Sequence, residues 1–441
     1  MADMKRIRSI VGLLAGIFIF CGITRGLNFL YVLDADSEYE RFVWNDFYAS
    51  KGKIDNLYLG SSHVYCDINP YILDEKNGQY NFNMATPGQL MNGTYYLLKE
   101  ADRNNEISHV YIELYYYFNV NDNFNLYEEP TKTDAFRNWN NLEYMKLSFN
   151  KLAYFWRTTD IEEYPNVFFR FSKYRSKIDD WNYIKDNIIQ KTENKSDIGD
   201  LKRGYFPMNI VYKEKERVFE QGRILEMQPM AESSEKYLRK AISYCQKQDI
   251  PVTLFISPMY ELQLISTENY DNYVAQVRLI ADEYDIDFYD FNLAKEEYLS
   301  IQQTDFFYDE GHLNLTGADI FTDFFYQVMS GNTLENSKYF YDTYKQKLQD
   351  QEPEVYGIYY RKATDSKDNK RIIRNMWLAS NREEGMEYRI VFTPAEQEPY
   401  MMQDFSENRQ FTIDADEHGT CTITYRVKSM PDLEQTIEIE Y

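Results

Sequence analysis

Asn56-Leu57-Tyr58-Leu59-Gly60-Ser61-Ser62-His63 joins a short apolar run to a glycine–serine turn. Such a run reads as a buried strand, the glycine permits a tight bend, and the serines supply a helix start. Far downstream, Asp309-Glu310-Gly311-His312 precedes a helix-like apolar run over 315–329. A hydroxyl on a strand-to-helix turn, and a carboxylate three residues before an imidazole, are the parts of a Ser/His/Asp nucleophilic site.

The pattern around these motifs alternates strand and helix. Strands are expected at 56–59, 80–84, 110–114, 251–256 and 286–289. Helices are expected at 89–104, 235–247, 268–284 and 315–329, and a helix or loop at 64–76. Strands separated by helices imply a parallel sheet covered on both faces. Five of them make an α/β, flavodoxin-like doubly wound sheet, with ligands at the C-terminal strand ends. Both motifs fall at such ends.

The rhythm is interrupted over 118–232, a segment rich in Asn, Tyr, Trp and charge. Helical patterns near 142–156 and 179–190 make it a mostly helical insertion that could cap a site. After residue 334 a charged linker, 335–353, leads to alternating apolar and polar residues at 355–361, 375–379, 388–392, 410–413, 420–428 and 436–440. That alternation, punctuated by turn residues, predicts an all-β sandwich over 354–441. The sheet domain with its insertion then occupies 34–334, entered through a short amphipathic helix over 34–53.

At the N-terminus, Lys5, Arg6 and Arg8 precede an uncharged stretch from Ser9 to Thr24, and apolar residues resume after Arg25. A helix over 10–33 would cross a bilayer of roughly 30 Å. The preceding basic residues orient residues 1–33 as a cytoplasmic tip and transmembrane anchor, with the rest of the chain extracellular. A cleaved signal peptide is the rival, but Phe20-Cys21-Gly22-Ile23-Thr24-Arg25 lacks the small residues a cleavage site needs.

Composition narrows the function classes. A net charge of −23 over 441 residues argues against nucleic acid, which selects clustered Lys and Arg. The 41 Tyr fit either an aromatic core or a surface for sugar contact. Four Cys at 21, 66, 245 and 421 have no metal-ligand spacing, so neither a disulfide framework, a metal site nor a cofactor is expected.

Serine needs a general base, and the base needs an orienting carboxylate. The four His stand at 63, 109, 312 and 418. His109 adjoins a strand and His418 lies in the C-terminal β region, leaving His312 and His63. His312 with Asp309 is the preferred base and orienter for Ser62. His63 neighbours Ser62 too closely to face it, and is assigned a substrate contact or a role at the helix start. The N–H groups of Ser62 and of Gly88, in Ala85-Thr86-Pro87-Gly88-Gln89, are the expected oxyanion donors. The bland alternative is that Ser62 and Asp309 merely cap helices.

These residues resemble the SGNH (GDSL-type) hydrolase superfamily. Gly60-Ser61-Ser62-His63 is similar to its first block, Gly88 to the glycine of its second, and Asp309-Glu310-Gly311-His312 to its last, Asp-x-x-His. The resemblance implies Ser62 as nucleophile, with Asp309 and His312 completing the triad. It departs at the third block, where Gly-x-Asn-Asp is replaced by Glu113-Leu114-Tyr115-Tyr116-Tyr117-Phe118-Asn119, leaving Tyr117 or Asn119 to stand in as donor. The anchor and the insertion further resemble DltD-type and other envelope O-acyltransferase proteins. That implies a membrane-anchored serine esterase or acyltransferase acting on an envelope polysaccharide or teichoic acid, with a membrane-bound acyltransferase partner. The alternative is an inactive SGNH-fold polymer-binding or scaffold protein.

Overall fold

The computed structural model describes residues 2–32, 38–120, 136–159, 161, 164, 169–193, 203–212, 217–220, 225–226, 229–265, 267–301, 304–309, 311–331, 336–365, 370–382, 384–395 and 397–440. Two compact units are present. One comprises Met1–Lys51 with Thr131–Gly204, the other Gly52–Pro130 with Tyr205–Tyr441.

In the second unit five strands, β1 (Asn56–Leu59), β2 (Asn81–Asn83), β3 (His109–Glu113), β4 (Val252–Ile256) and β5 (Phe288–Asp290), form one parallel sheet in the order β2-β1-β3-β4-β5. Because strand side chains alternate faces, Tyr58, Tyr111, Phe255 and Tyr289 share one side and pack with Phe321, Phe324 and Phe325 of the Leu315–Ser330 helix. Leu57, Leu59, Val110, Ile112 and Leu254, on the other side, are also fully buried. Burial on both faces is what a parallel sheet requires. The order reverses between β1 and β3, so a crevice for ligands is expected at the carboxyl ends of these two strands.

The chain enters that crevice through Gly60, whose φ of 154° lies where a side chain is strained. A Cβ there would sit 2.7 Å from both Glu113 Cβ and Val64 Cγ2. Gly60→Ala is therefore expected to destabilise the protein by about 2–5 kcal/mol, backbone strain and overpacking combined, read from urea unfolding in detergent.

Residues 64–76 fall in two short helices with a break between them. Ser62–Asp67 and Pro70–Asn77 are separate, because Asn69 caps the second and Pro70 cannot donate a backbone hydrogen bond.

C-terminal strands Val355–Thr364, Ile372–Ser380 and Gln410–Asp414 form one sheet, joined in parallel by Val218–Glu220 from within the insertion. Tyr400–Ser406, Met386–Pro394, Gly419–Val427 and Glu434–Glu440 form a second, antiparallel sheet. Ile358, Met376 and Leu378 share an apolar core with Ile390, Phe392 and Ile423 of the second sheet. The segment leading here contains the Tyr344–Asp350 helix, whose buried Lys347 pairs with Glu261 at 2.9 Å and donates to Asn292 O.

The first unit is helical among the described residues: Ala2–Tyr31, Glu38–Ala49, Phe136–Tyr144, Phe149–Thr158 and Trp181–Glu193, with a 3-10 segment at Arg170–Lys177. Its N-terminal helix contains a 21-residue stretch, Val11–Tyr31, long and apolar enough to cross a membrane, with none of the assessed window buried in the protein.

Candidate active site

Ser62 opens the helix that follows β1. Ser61, in extended conformation, is its N-cap, and its hydroxyl accepts from His63 N. Ser61 is buried, whereas Ser62 is partly exposed. The two adjacent serines thus have different surroundings: Ser61 Oγ lies 3.2 Å from Glu113 Oε2, and Ser62 Oγ lies 2.7 Å from His312 Nε2.

His312 Nδ1 is 2.9 Å and 3.0 Å from the two Asp309 carboxylate oxygens. Asp309 also accepts from the backbone N–H of Gly311 and of His312. Burial raises the Asp309 pKa, but the hydrogen bond and charge of the His312 ring and these N–H donors outweigh it and hold the carboxyl at about 2. An ionised carboxylate only accepts, so Nδ1 carries the ring proton. Nε2 is then left to accept the proton of Ser62 Oγ–H. Three residues separated in sequence thus form one continuous hydrogen-bond relay.

The two expected oxyanion donors differ in origin. Ser62 N–H stands at the first position of its helix, where helix N–H groups have no partner within the helix. Gly88 is buried and takes the left-handed φ of 56°. Its loop is tied to the Gly60–Ser62 turn by Thr86 N donating to Gly60 O at 3.3 Å. Gln89 braces the same loop, its Nε2 donating to Thr94 Oγ1. Among the described residues neither N–H has an acceptor.

Asn119, one of the two expected stand-in donors, is engaged elsewhere. Its Nδ2 donates to Tyr115 O at 2.9 Å and it is buried. The Tyr117 side chain, like Glu310, lies outside the described residues. After β3 the chain instead presents Tyr115, whose ring lies 3.9 Å from that of His63 and whose hydroxyl accepts from Gln263.

His63 is 2% exposed, with its ring stacked 4.8 Å from His312. This geometry gives it no open face for substrate and places it behind His312. Burial lowers its pKa well below the ordinary value; the neighbouring His312 lowers it further, and Asp309 partly opposes this. The net direction favours the neutral imidazole over the cation.

Sequence reasoning passed over Asp67 and Glu113. Asp67 is fully buried on the Ser62 helix and accepts from Leu313 N at 3.0 Å, one residue beyond His312. It therefore ties the Ser62 helix to the loop that carries His312. The sequence signal was His63-x-x-x-Asp67, a helical i,i+4 pair. From β2, the Asn83 amide donates to Ile68 O at 2.8 Å, closing the other end of the same helix. Asp67→Ala orphans the Leu313 N–H, at about 1–3 kcal/mol of stability. The loss of alignment is expected to slow active-site acylation by about 100-fold. Asp67→Asn, which keeps an acceptor oxygen, should restore most of the rate when labelling time courses are compared.

In comparisons with known proteins, no family model and no curated protein sequence matches the chain.

Proposed function

We propose that this chain is a membrane-anchored serine esterase or O-acyltransferase of the SGNH type, facing outside the cell and acting on an acylated envelope polymer such as a polysaccharide or teichoic acid. The observation that carries this reading is the 2.7 Å contact between Ser62 Oγ and His312 Nε2, continued from Nδ1 to the Asp309 carboxylate. The apolar N-terminal helix supports the anchor.

In the proposed reaction, Ser62 Oγ attacks the acyl carbonyl carbon as its proton passes to His312 Nε2. Asp309 stabilises the resulting imidazolium. The oxyanion receives hydrogen bonds from the N–H groups of Ser62 and Gly88. Collapse breaks the ester bond, and the departing alkoxide takes the proton from Nε2. Water or a polymer hydroxyl then attacks the acyl-Ser62 ester, giving up its proton to Nε2, and Ser62 regains a proton as it leaves.

The test is treatment of the full chain in detergent with a fluorophosphonate. One adduct per chain, mapped by peptide mass to Ser62, is the expected result. An unlabelled protein that still binds envelope polymer would favour the scaffold reading instead.

A further inference from the structure

The helix Phe149–Thr158 is turned inside out. Its inward positions are Asn150 and Tyr154, the latter donating from its hydroxyl to Asn138 Oδ1 at 2.7 Å. Its outward positions are Phe149 at 93%, Leu152 at 52% and Trp156 at 70% exposure, and Leu147 just before them is 81% exposed. A helix in a soluble protein directs its apolar stripe inward. An exposed apolar strip of this kind marks a surface that meets another apolar phase.

Two observations say what that phase is. The first is continuity with the anchor, which belongs to the same compact unit. The segments 170–177 and 181–193 grip the end of the long N-terminal helix. Phe171 N donates to Asn28 Oδ1, Tyr183 OH to Tyr31 O, and Asn187 Nδ2 to Leu30 O, while Lys191 Nζ caps the carbonyls of Phe29 and Val32. These contacts lie at the end of the span, although Phe169 also packs edge-on against Phe20 nearer its middle. On this gripping region Trp181, 71% exposed, again points outward.

The second observation is charge. In a chain of net charge −23, the stretch 145–159 carries Lys146, Lys151 and Arg157 and no Asp or Glu. The stretch 169–178 is also basic in sequence, although Arg170 pairs with Glu143 and Lys177 with Asp180. Basic residues beside outward Trp, Phe and Leu are the composition of a helix lying in the headgroup layer of an anionic bilayer.

We infer that the face formed by Leu147, Phe149, Leu152 and Trp156 seats in the headgroup layer of the membrane that the N-terminal helix crosses. The helical unit is then a membrane-docked platform as well as the carrier of an anchor. This inference rests on reading Val11–Tyr31 as a bilayer span and is independent of the chemistry proposed for Ser62.

The test uses the full chain with Cys21→Ser and Phe149→Cys, labelled with the polarity-sensitive fluorophore NBD. The protein is placed in nanodiscs of phosphatidylcholine and phosphatidylglycerol. Blue-shifted emission that is quenched by lipids brominated near the carbonyl end of the acyl chain is the expected result. Trp156→Cys, two helical turns along the same face, is the second site should the first variant misfold. Protein that enters the discs but shows water-like, unquenched NBD at both sites overturns the inference and leaves the span standing. Protein that never enters the discs overturns the span, and the inference with it. Protection seen only in native membranes, and not in pure lipid, assigns the face to a protein partner and overturns the lipid assignment.

Discussion

Ser62→Ala abolishes fluorophosphonate labelling and lowers the turnover of a model acetyl ester by about 10⁴- to 10⁶-fold: this is the expected result if Ser62 is the nucleophile. The size follows from the relay being a unit. Without Oγ, His312 Nε2 has nothing to deprotonate, and the polarisation by Asp309 has no outlet. Ser61→Ala is the natural control. Ser61 is 2% exposed, and its hydroxyl lies against Glu113 and accepts from His63 N. Its loss should cost stability while labelling at Ser62 persists. If Ser62→Ala labels as well as the parent protein, the assignment is wrong.

Most strands of the parallel sheet were legible as short apolar runs bounded by turn residues, β2 (Asn81–Asn83) excepted, and β1 coincides with the expected 56–59. The contact between Ser62 and the Asp309–His312 loop fits the sequence order: Ser62 directly follows β1, and the loop leads into the last helix after β5. What the sequence hid was non-local. Tyr400–Ser406 shows no alternation of burial, consistent with its place at the edge of its sheet, so no period-2 signal marks it. Val218–Glu220 is a three-residue strand whose partner, Ile358–Tyr360, lies far along the chain. The break at Ser148 divides the expected helix at 142–156, because that serine caps a new helix by accepting from Lys151 N. Asp67 and Glu113 escaped for another reason: a carboxyl side chain is ordinarily read as surface, and only the fold shows these two buried.

Glu113→Gln is expected to stabilise the protein at pH 8 and to leave it unchanged near pH 4.5. Glu113 ends β3 with 2% exposure, directly against the nucleophile turn. Its Oε2 accepts from Ser61 N and Oγ, and Oε1 has no partner among the described residues. Burial drives its pKa from 4.5 up to about 8, and the hydrogen bonds from Ser61 and Tyr115 only partly oppose this. Between those two values the unfolded chain has released the proton and the folded chain retains it. Rising pH therefore favours unfolding, by an amount that grows from near zero at pH 4.5 to on the order of 3–5 kcal/mol at pH 8. Glutamine mimics the protonated acid and removes the whole dependence. Asp309 has the opposite sign: with its carboxyl held at about 2 against an ordinary 3.8, its contribution is complete above pH 3.8 and is lost as pH falls through about 2. Acid loss of stability should therefore survive in Glu113→Gln while the alkaline loss is reduced. Urea midpoints at pH 5 and pH 8 in the same detergent make the measurement. Equal midpoint differences at the two pH values would show that Glu113 is ionised in the fold. Its neutrality also has a catalytic consequence. A carboxylate beneath Ser61 would oppose the negative charge developing one residue away on the oxyanion at Ser62, so the acid kept neutral by burial protects the proposed transition state.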